Sequence, residues 1–302
     1  MLHLTNGESV SLPQTGLPGQ VIYWNDILHD GPVPRGLPLQ ELSRIRANFI
    51  AEFFGMPLSE VSFVQRDEAI SRFRDHEEVV LWFEHDLYDQ LQLLQILDWF
   101  SQQHLGGTRL SLISVNRYLG SMHPEQLRPL FDSRHEVNAR ELKTARTAWD
   151  AFCSSEPTGL AALVDEDTSA LPFLRDALLR HLEQFPSLHN GLSRAERQIL
   201  QLTGSGISGF GELFPAAQKM DENIWMGDST FEQYLRRLAG AKHPLLDSVN
   251  SGFLTTDFGR AVYEGKEDHV RANGINRWLG GVHLCEGAPV WRWDEGQRTI
   301  RP

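Results

Sequence analysis

Cysteine is scarce: Cys153 and Cys285 are the only two in 302 residues, far apart and without a CxxC spacing. That argues against a disulfide-stapled scaffold and a thiolate zinc centre, and it suits a reducing cytoplasm. No apolar run approaches the roughly 20 residues that cross a bilayer. The start, Met1-Leu2-His3-Leu4, has no basic leader region, so neither a membrane-spanning nor a secreted protein is expected. Lysine is missing altogether from residues 1–120, which hold 8 Arg against 15 Asp and Glu within a chain of net charge −12. Such a surface repels a phosphate backbone, and DNA is not a favoured partner. Internal repeats, low-complexity tracts and the HExxH metal signature are also missing. What remains is ordinary for a globular protein, 41% hydrophobic and 23% charged, with length for about two domains of roughly 150 residues.

The chain is organised around Val79 to Phe100, VVLWFEHDLYDQLQLLQILDWF. A short apolar run ends in Glu84-His85-Asp86 and passes without Gly or Pro into a helical pattern. This is a buried strand feeding a helix, with acidic and imidazole groups at the strand's carboxyl end. Leu2–Thr5, Val21–Trp24 and Arg109–Val115 read as further strands, and 38–54, 58–76 and 87–104 as helices. Strands alternating with helices predict an α/β domain over 1–122 with a mostly parallel, Rossmann-like sheet. Residues 123–190 read as a helical connector, with helices near 124–131, 138–153 and 171–185 and no cluster of ionisable groups. Residues 191–302 give three short helices, the first opened by a Ser193/Glu196 capping box. β-like pieces follow, including an expected hairpin over 282–293, and together they outline a winged-helix-like α+β domain.

Ligands of open α/β sheets bind outside the carboxyl ends of the strands. Two such ends carry the candidate catalytic groups: Asp26, His29 and Asp30 after one strand, and Glu84, His85, Asp86 and Asp89 after another. If the two strands are close neighbours, seven ionisable side chains converge. Mixed oxygen and nitrogen donors suit a divalent cation such as zinc, manganese or magnesium, and no spacing selects among them. Crowded carboxylates also raise one another's pKa, which is one way to keep a general acid near neutral pH. Asn6 and Gly7, where Asn-Gly permits a turn with φ > 0, and Arg117 would orient an anionic substrate. Arg277 and His283 would close over the site from the C-terminal domain. Each group also has a plainer role. Asp86 and Asp89 suit an N-cap and first helical turn, His29 a capped turn, and Trp278, Trp291 and Trp293 a small core.

The motifs HLTNGES, YWNDILHDGPVP, LWFEHDLYDQLQLLQIL and INRWLGGVHL with its following WRWD resemble the bacterial family catalogued as domain of unknown function 1835. The resemblance implies a bacterial cytoplasmic protein and carries no catalytic role onto any residue. From the residues themselves, the expected activity is metal-assisted or acid/base hydrolysis or transfer on a small or phosphorylated substrate. The alternative is a sensor, regulator or adaptor whose winged-helix-like tail binds DNA or a protein.

Overall fold

The computed structural model describes residues 1–249 and 252–302. Among these the chain forms a mixed α/β fold with twelve α-helices and a five-stranded, mostly parallel sheet. That sheet contains β1 (Leu2–Thr5), β2 (Gln20–Tyr23), β4 (Glu78–Phe83), β5 (Arg109–Ser114) and β6 (His135–Glu136), in the order β2-β1-β4-β5-β6. The first four run parallel and β6 is antiparallel at the edge. No helix among the described residues is long and apolar enough to cross a membrane.

β4 is buried along its whole length because both faces of the sheet are covered. Val79, Leu81 and Phe83 face α3 (Leu87–Ser101) in the main core, while Val80 and Trp82 pack with Leu119 and with Leu127 of α4 (Pro124–Asp132). α3 is itself covered by α5 (Ala139–Phe152) and α7 (Leu174–Leu182), which accounts for its nearly continuous apolar sequence. α1 (Leu39–Phe54) and α2 (Val64–Ser71) precede β4. The single helix expected over 58–76 is broken, because Val61 is extended at φ −112, ψ 107.

α6 (Thr158–Leu163) lies between α5 and α7. The C-terminal part holds α8 (Arg194–Gly204), α9 (Phe210–Gln218), α10 (Asp228–Ala239), β7 (Leu246–Val249) and β8 (Gly252–Thr255). Then come α11 (Asp257–Tyr263), α12 (His269–Asn273), β9 (Asn276–Gly280), β10 (Val282–Cys285), β11 (Arg292–Asp294) and β12 (Thr299–Arg301). The Ser193/Glu196 capping box forms as its spacing predicts. The hairpin expected over 282–293 does not. β10 folds back on β9, with Val282 opposite Leu279, and β11 pairs with β12. The turn is Gly280-Gly281, and packing demands both glycines: a Cβ on either would come within 2.4 Å of the Phe152 or Cys153 carbonyl oxygen.

The early and late parts of the chain share structure. β3 (Gly31–Pro32) pairs in parallel with β9, and one set of buried apolar side chains runs from Leu2 to Ile300.

Candidate functional site

Glu84 is the first residue after β4, Asp86 is the N-cap of α3, and Asp89 lies in the helix's first turn. This strand-to-helix corner draws the three carboxyl groups together: one oxygen from each lies within 4.8 Å of the others, and all three residues are buried. The Asp89 carboxylate accepts from the Glu84 backbone N–H at 2.6 Å and from the Asn6 amide. Asp86 accepts from the Asp89 N–H at 3.2 Å, so its capping role is real. Glu84 accepts from the backbone N–H of Leu119 at 2.7 Å. These amides satisfy some oxygen lone pairs but add no full positive charge, and no Arg, Lys or His forms an ion pair with the cluster among the described residues.

The electrostatic result follows. Burial, together with the neighbouring Asp86, pushes the Glu84 carboxyl up to about 7. Burial pushes Asp86 up to about 7, and burial followed by Asp86 and Glu84 raises Asp89 well above the carboxylate range. The Asn6 amide N–H is given to Asp89, which leaves Asn6 Oδ1 buried with no hydrogen-bond partner. Three carboxylates and an unpartnered amide oxygen make an all-oxygen donor set suited to magnesium or manganese.

Glu84 and Asp86 bind protons more tightly folded than unfolded. Their ionisation therefore penalises the folded state increasingly from the ordinary carboxylate range upward, in full above about 7. His29 and His181, pushed down to about 3 by burial, act oppositely, and their contribution is complete above the ordinary 6.5. Between pH 6.5 and roughly 8.5 the carboxylates thus dominate. In chelator, the melting temperature is expected to fall by about 3–6 °C over that interval. The Glu84→Gln/Asp86→Asn variant, which keeps the buried Asp89, should fall less steeply, whereas equal slopes for the two proteins would refute the assignment.

The other expected group does not join this one. β1 stands between β2 and β4, and the residues after β2 are engaged elsewhere. Asp26 is fully buried and paired with the Arg46 guanidinium at 2.8 and 3.0 Å. Asp30 accepts from Arg237 at 3.0 Å, Arg277 at 3.2 Å and the Tyr234 hydroxyl at 3.2 Å. Burial alone would raise its carboxyl, but Arg277 and Arg237 hold it well below the usual range. His29 packs edge-on against Trp225 at 4.7 Å, with neither ring nitrogen bonded. Of the seven groups, the structure gathers Glu84, Asp86 and Asp89 in the acidic cluster and ties Asp26 and Asp30 to arginines, while His29 lies 5.9 Å from the ring of Tyr88 in the first turn of α3. His85 is buried against Tyr118, its rings 4.9 Å apart, with Nδ1 unpartnered.

The residues expected to orient substrate are also dispersed. Gly7 does not take positive φ; the turn runs from Gly7 to Val10 instead. Arg117 is exposed on the loop after β5. Arg277 reaches the N-terminal part of the chain, but it pairs with Asp30 rather than the acidic cluster. His283 stacks on Trp278 at 4.2 Å and bonds Asn276, on the β9–β10 hairpin. The stretch before α10 instead packs on residues of both groups: the Ile224 N–H bonds the Tyr118 hydroxyl at 2.6 Å, and Trp225 covers His29. Beside Leu87 a cavity of about 280 Å³ opens, lined also by Arg180, Glu183, Arg194 and Glu222.

Sequence reasoning missed Arg46, His181, Trp225, Tyr234 and Arg237. Two of them had a signal. Arg46 falls on α1's buried stripe with Leu42 and Ile50, and His181 on α7's with Leu174 and Leu178. A polar residue in a buried stripe calls for a partner; Arg46 finds Asp26, whereas neither ring nitrogen of His181 is hydrogen-bonded. A scan against protein-family models finds no match, and neither does a search of curated proteins.

Proposed function

We propose that this protein is an enzyme of hydrolysis or group transfer acting on a small, phosphorylated substrate, with Glu84, Asp86 and Asp89 holding a divalent cation. The observation that carries the reading is the buried trio within 4.8 Å at the carboxyl end of β4, beside the unpartnered Asn6 Oδ1. Three like charges in one buried corner are unstable together unless protons or a cation intervene. Oxygen-only sites of this kind bind magnesium or manganese, which commonly bring phosphates with them. The cavity beside Leu87, where Arg180 Nη1 is buried without a partner, is the natural place for the anionic end of such a substrate. Position supports the reading too, since open parallel sheets bind ligands at their strands' carboxyl ends; we read residues 1–122 as Rossmann-like on that basis.

The test is direct. At about pH 8, Mn²⁺ at roughly 100 times its dissociation constant should stabilise the protein by about 2.7 kcal/mol. The paramagnetic resonance signal of free Mn²⁺ should fall to one bound ion per chain. Asp86→Asn and Glu84→Gln should each abolish the uptake. Unchanged free Mn²⁺ at millimolar ion would end this reading, whatever a phosphatase screen with p-nitrophenyl phosphate finds.

α8, α9 and α10 followed by the β7–β8 pair keep a winged-helix-like reading of the tail in place. Its third helix turns Arg237 and Tyr234 inward, Arg237 onto Asp30, and pairs the exposed Arg236 with Glu232. That arrangement favours a packing or adaptor role over DNA binding. Two unpaired cysteines, with Cys153 buried, favour a cytoplasmic setting, and the motif resemblance to the family of unknown function stands as a proposal of kinship.

A further inference from the structure

A second cavity, of about 570 Å³, lies away from the acidic cluster, within the size range of small-molecule sites. Its floor is the later part of α3: Asp98 is twelve residues past Asp86, or about 18 Å along the helix at 1.5 Å per residue. Helical spacing places Gln95, Asp98, Trp99 and Gln102 of α3 on one wall, Arg146 and Trp149 of α5 on another. The approach to α1 forms the third.

The groups left free in this space are mostly donors; the exception is Asp98, which feels the charge of Arg146. Gln95 is buried, and its Oε1 accepts from the Trp24 indole N–H at 2.8 Å. Because an indole N–H only donates, the carboxamide cannot be turned round, and Nε2 is the end left without a partner. α1 is a sixteen-residue helix with Pro38 at its N-cap and no side-chain cap. The N–H groups of Leu39 and Gln40 therefore have no acceptor among the described residues, at the positive end of the helix dipole. Arg146 makes no hydrogen bond among the described residues, whereas Arg35 is engaged by Asp150 in a two-pronged pair. Asp98 accepts from Gln102 at 2.9 Å. Trp99, Trp149, Leu39 and Leu42 supply apolar wall.

We propose that this cavity binds a small organic carboxylate, its two oxygens on the Gln95 amide, the start of α1 and Arg146, and its apolar body against Trp99 and Trp149. An inorganic anion would leave the tryptophan wall unused. A neutral body would leave the donors unmatched, and an amine would meet them with like polarity.

Phenylacetate is the probe, titrated into the full chain by calorimetry and followed by tryptophan fluorescence. It should bind at one site per chain with a dissociation constant below about 1 mM. Phenylacetamide should bind about tenfold more weakly or worse. Gln95→Glu keeps the acceptor for Trp24 but puts a carboxylate where the donor was, and the exposed Arg146→Gln removes a cation. Each should weaken phenylacetate about tenfold. Asp98→Asn should tighten it, by removing a like charge from the wall. The proposal is overturned by no heat up to about 10 mM phenylacetate or by equal binding of acid and amide. It is equally overturned by indifference of binding to Arg146→Gln, or by tighter binding of phenethylamine that Asp98→Asn abolishes. Because no step involves Glu84, Asp86 or Asp89, the result is independent of Mn²⁺ uptake.

Discussion

Asp30→Ala is expected to lower the stability of the protein by about 3–5 kcal/mol, the usual consequence of removing one member of a buried ion pair. Asp30 is 2% exposed and receives three donors from distant parts of the chain: Tyr234, Arg237 and Arg277. Arg237 is partly exposed and can turn to water, but Arg277 is buried and would keep an uncompensated charge. Most of the loss therefore comes from Arg277, and adding Arg277→Met to Asp30→Ala should recover a good part of it. Urea denaturation of the two single variants and the double variant measures this. A loss below about 1 kcal/mol for Asp30→Ala would overturn it. The experiment also separates two roles that sequence alone leaves together: a catalytic acid could be removed with little effect on folding, whereas this hub cannot.

Arg46→Ala should be at least as damaging, at about 4–5 kcal/mol. Arg46 is wholly buried, and its guanidinium does two things at once. Nε and Nη2 neutralise Asp26, while Nη1 and Nη2 bond the carbonyls of Asp30 at 2.9 Å and Ile27 at 3.0 Å. The loop 26–32 is thus wound around a single planar fork. A lysine restores charge but not that geometry, so Arg46→Lys should still cost about 2 kcal/mol or more. If chemical denaturation finds Arg46→Lys equal to the native protein, Arg46 is acting as a point charge and the fork argument is wrong.

Local signals were readable where one segment decides the outcome. The apolar run Val79–Phe83 and the acidic turn after it gave both β4 and the carboxylate corner, because strand, cap and first helical turn are contiguous. Ser193 and Glu196 gave the start of α8 for the same reason. The destinies of Asp26 and Asp30 were not readable. Each is settled by partners 20 to 247 residues away, namely Arg46, Arg237 and Arg277, and no local pattern encodes which carboxylate meets a cation. The hairpin expected over 282–293 forms instead as β9–β10 about Gly280-Gly281, which lies tight against the end of α5, far away in sequence. Arg277 was expected to close over the acidic site and meets Asp30 instead, since reach is a property of the side chain and direction a property of the fold.

The two-residue pairing of β3 with β9 carries a consequence for biosynthesis. Gly31 meets Leu279, and Val33 donates to the Gly280 carbonyl at 2.8 Å. On the ribosome the first strands emerge long before their sealing partner is translated. In the loop 26–32 the Asp30 carboxylate and the edge of β3 therefore wait for their partners through most of synthesis. Arg46, only sixteen residues downstream of Asp30, is the early clamp that holds this loop in shape until residue 280 arrives.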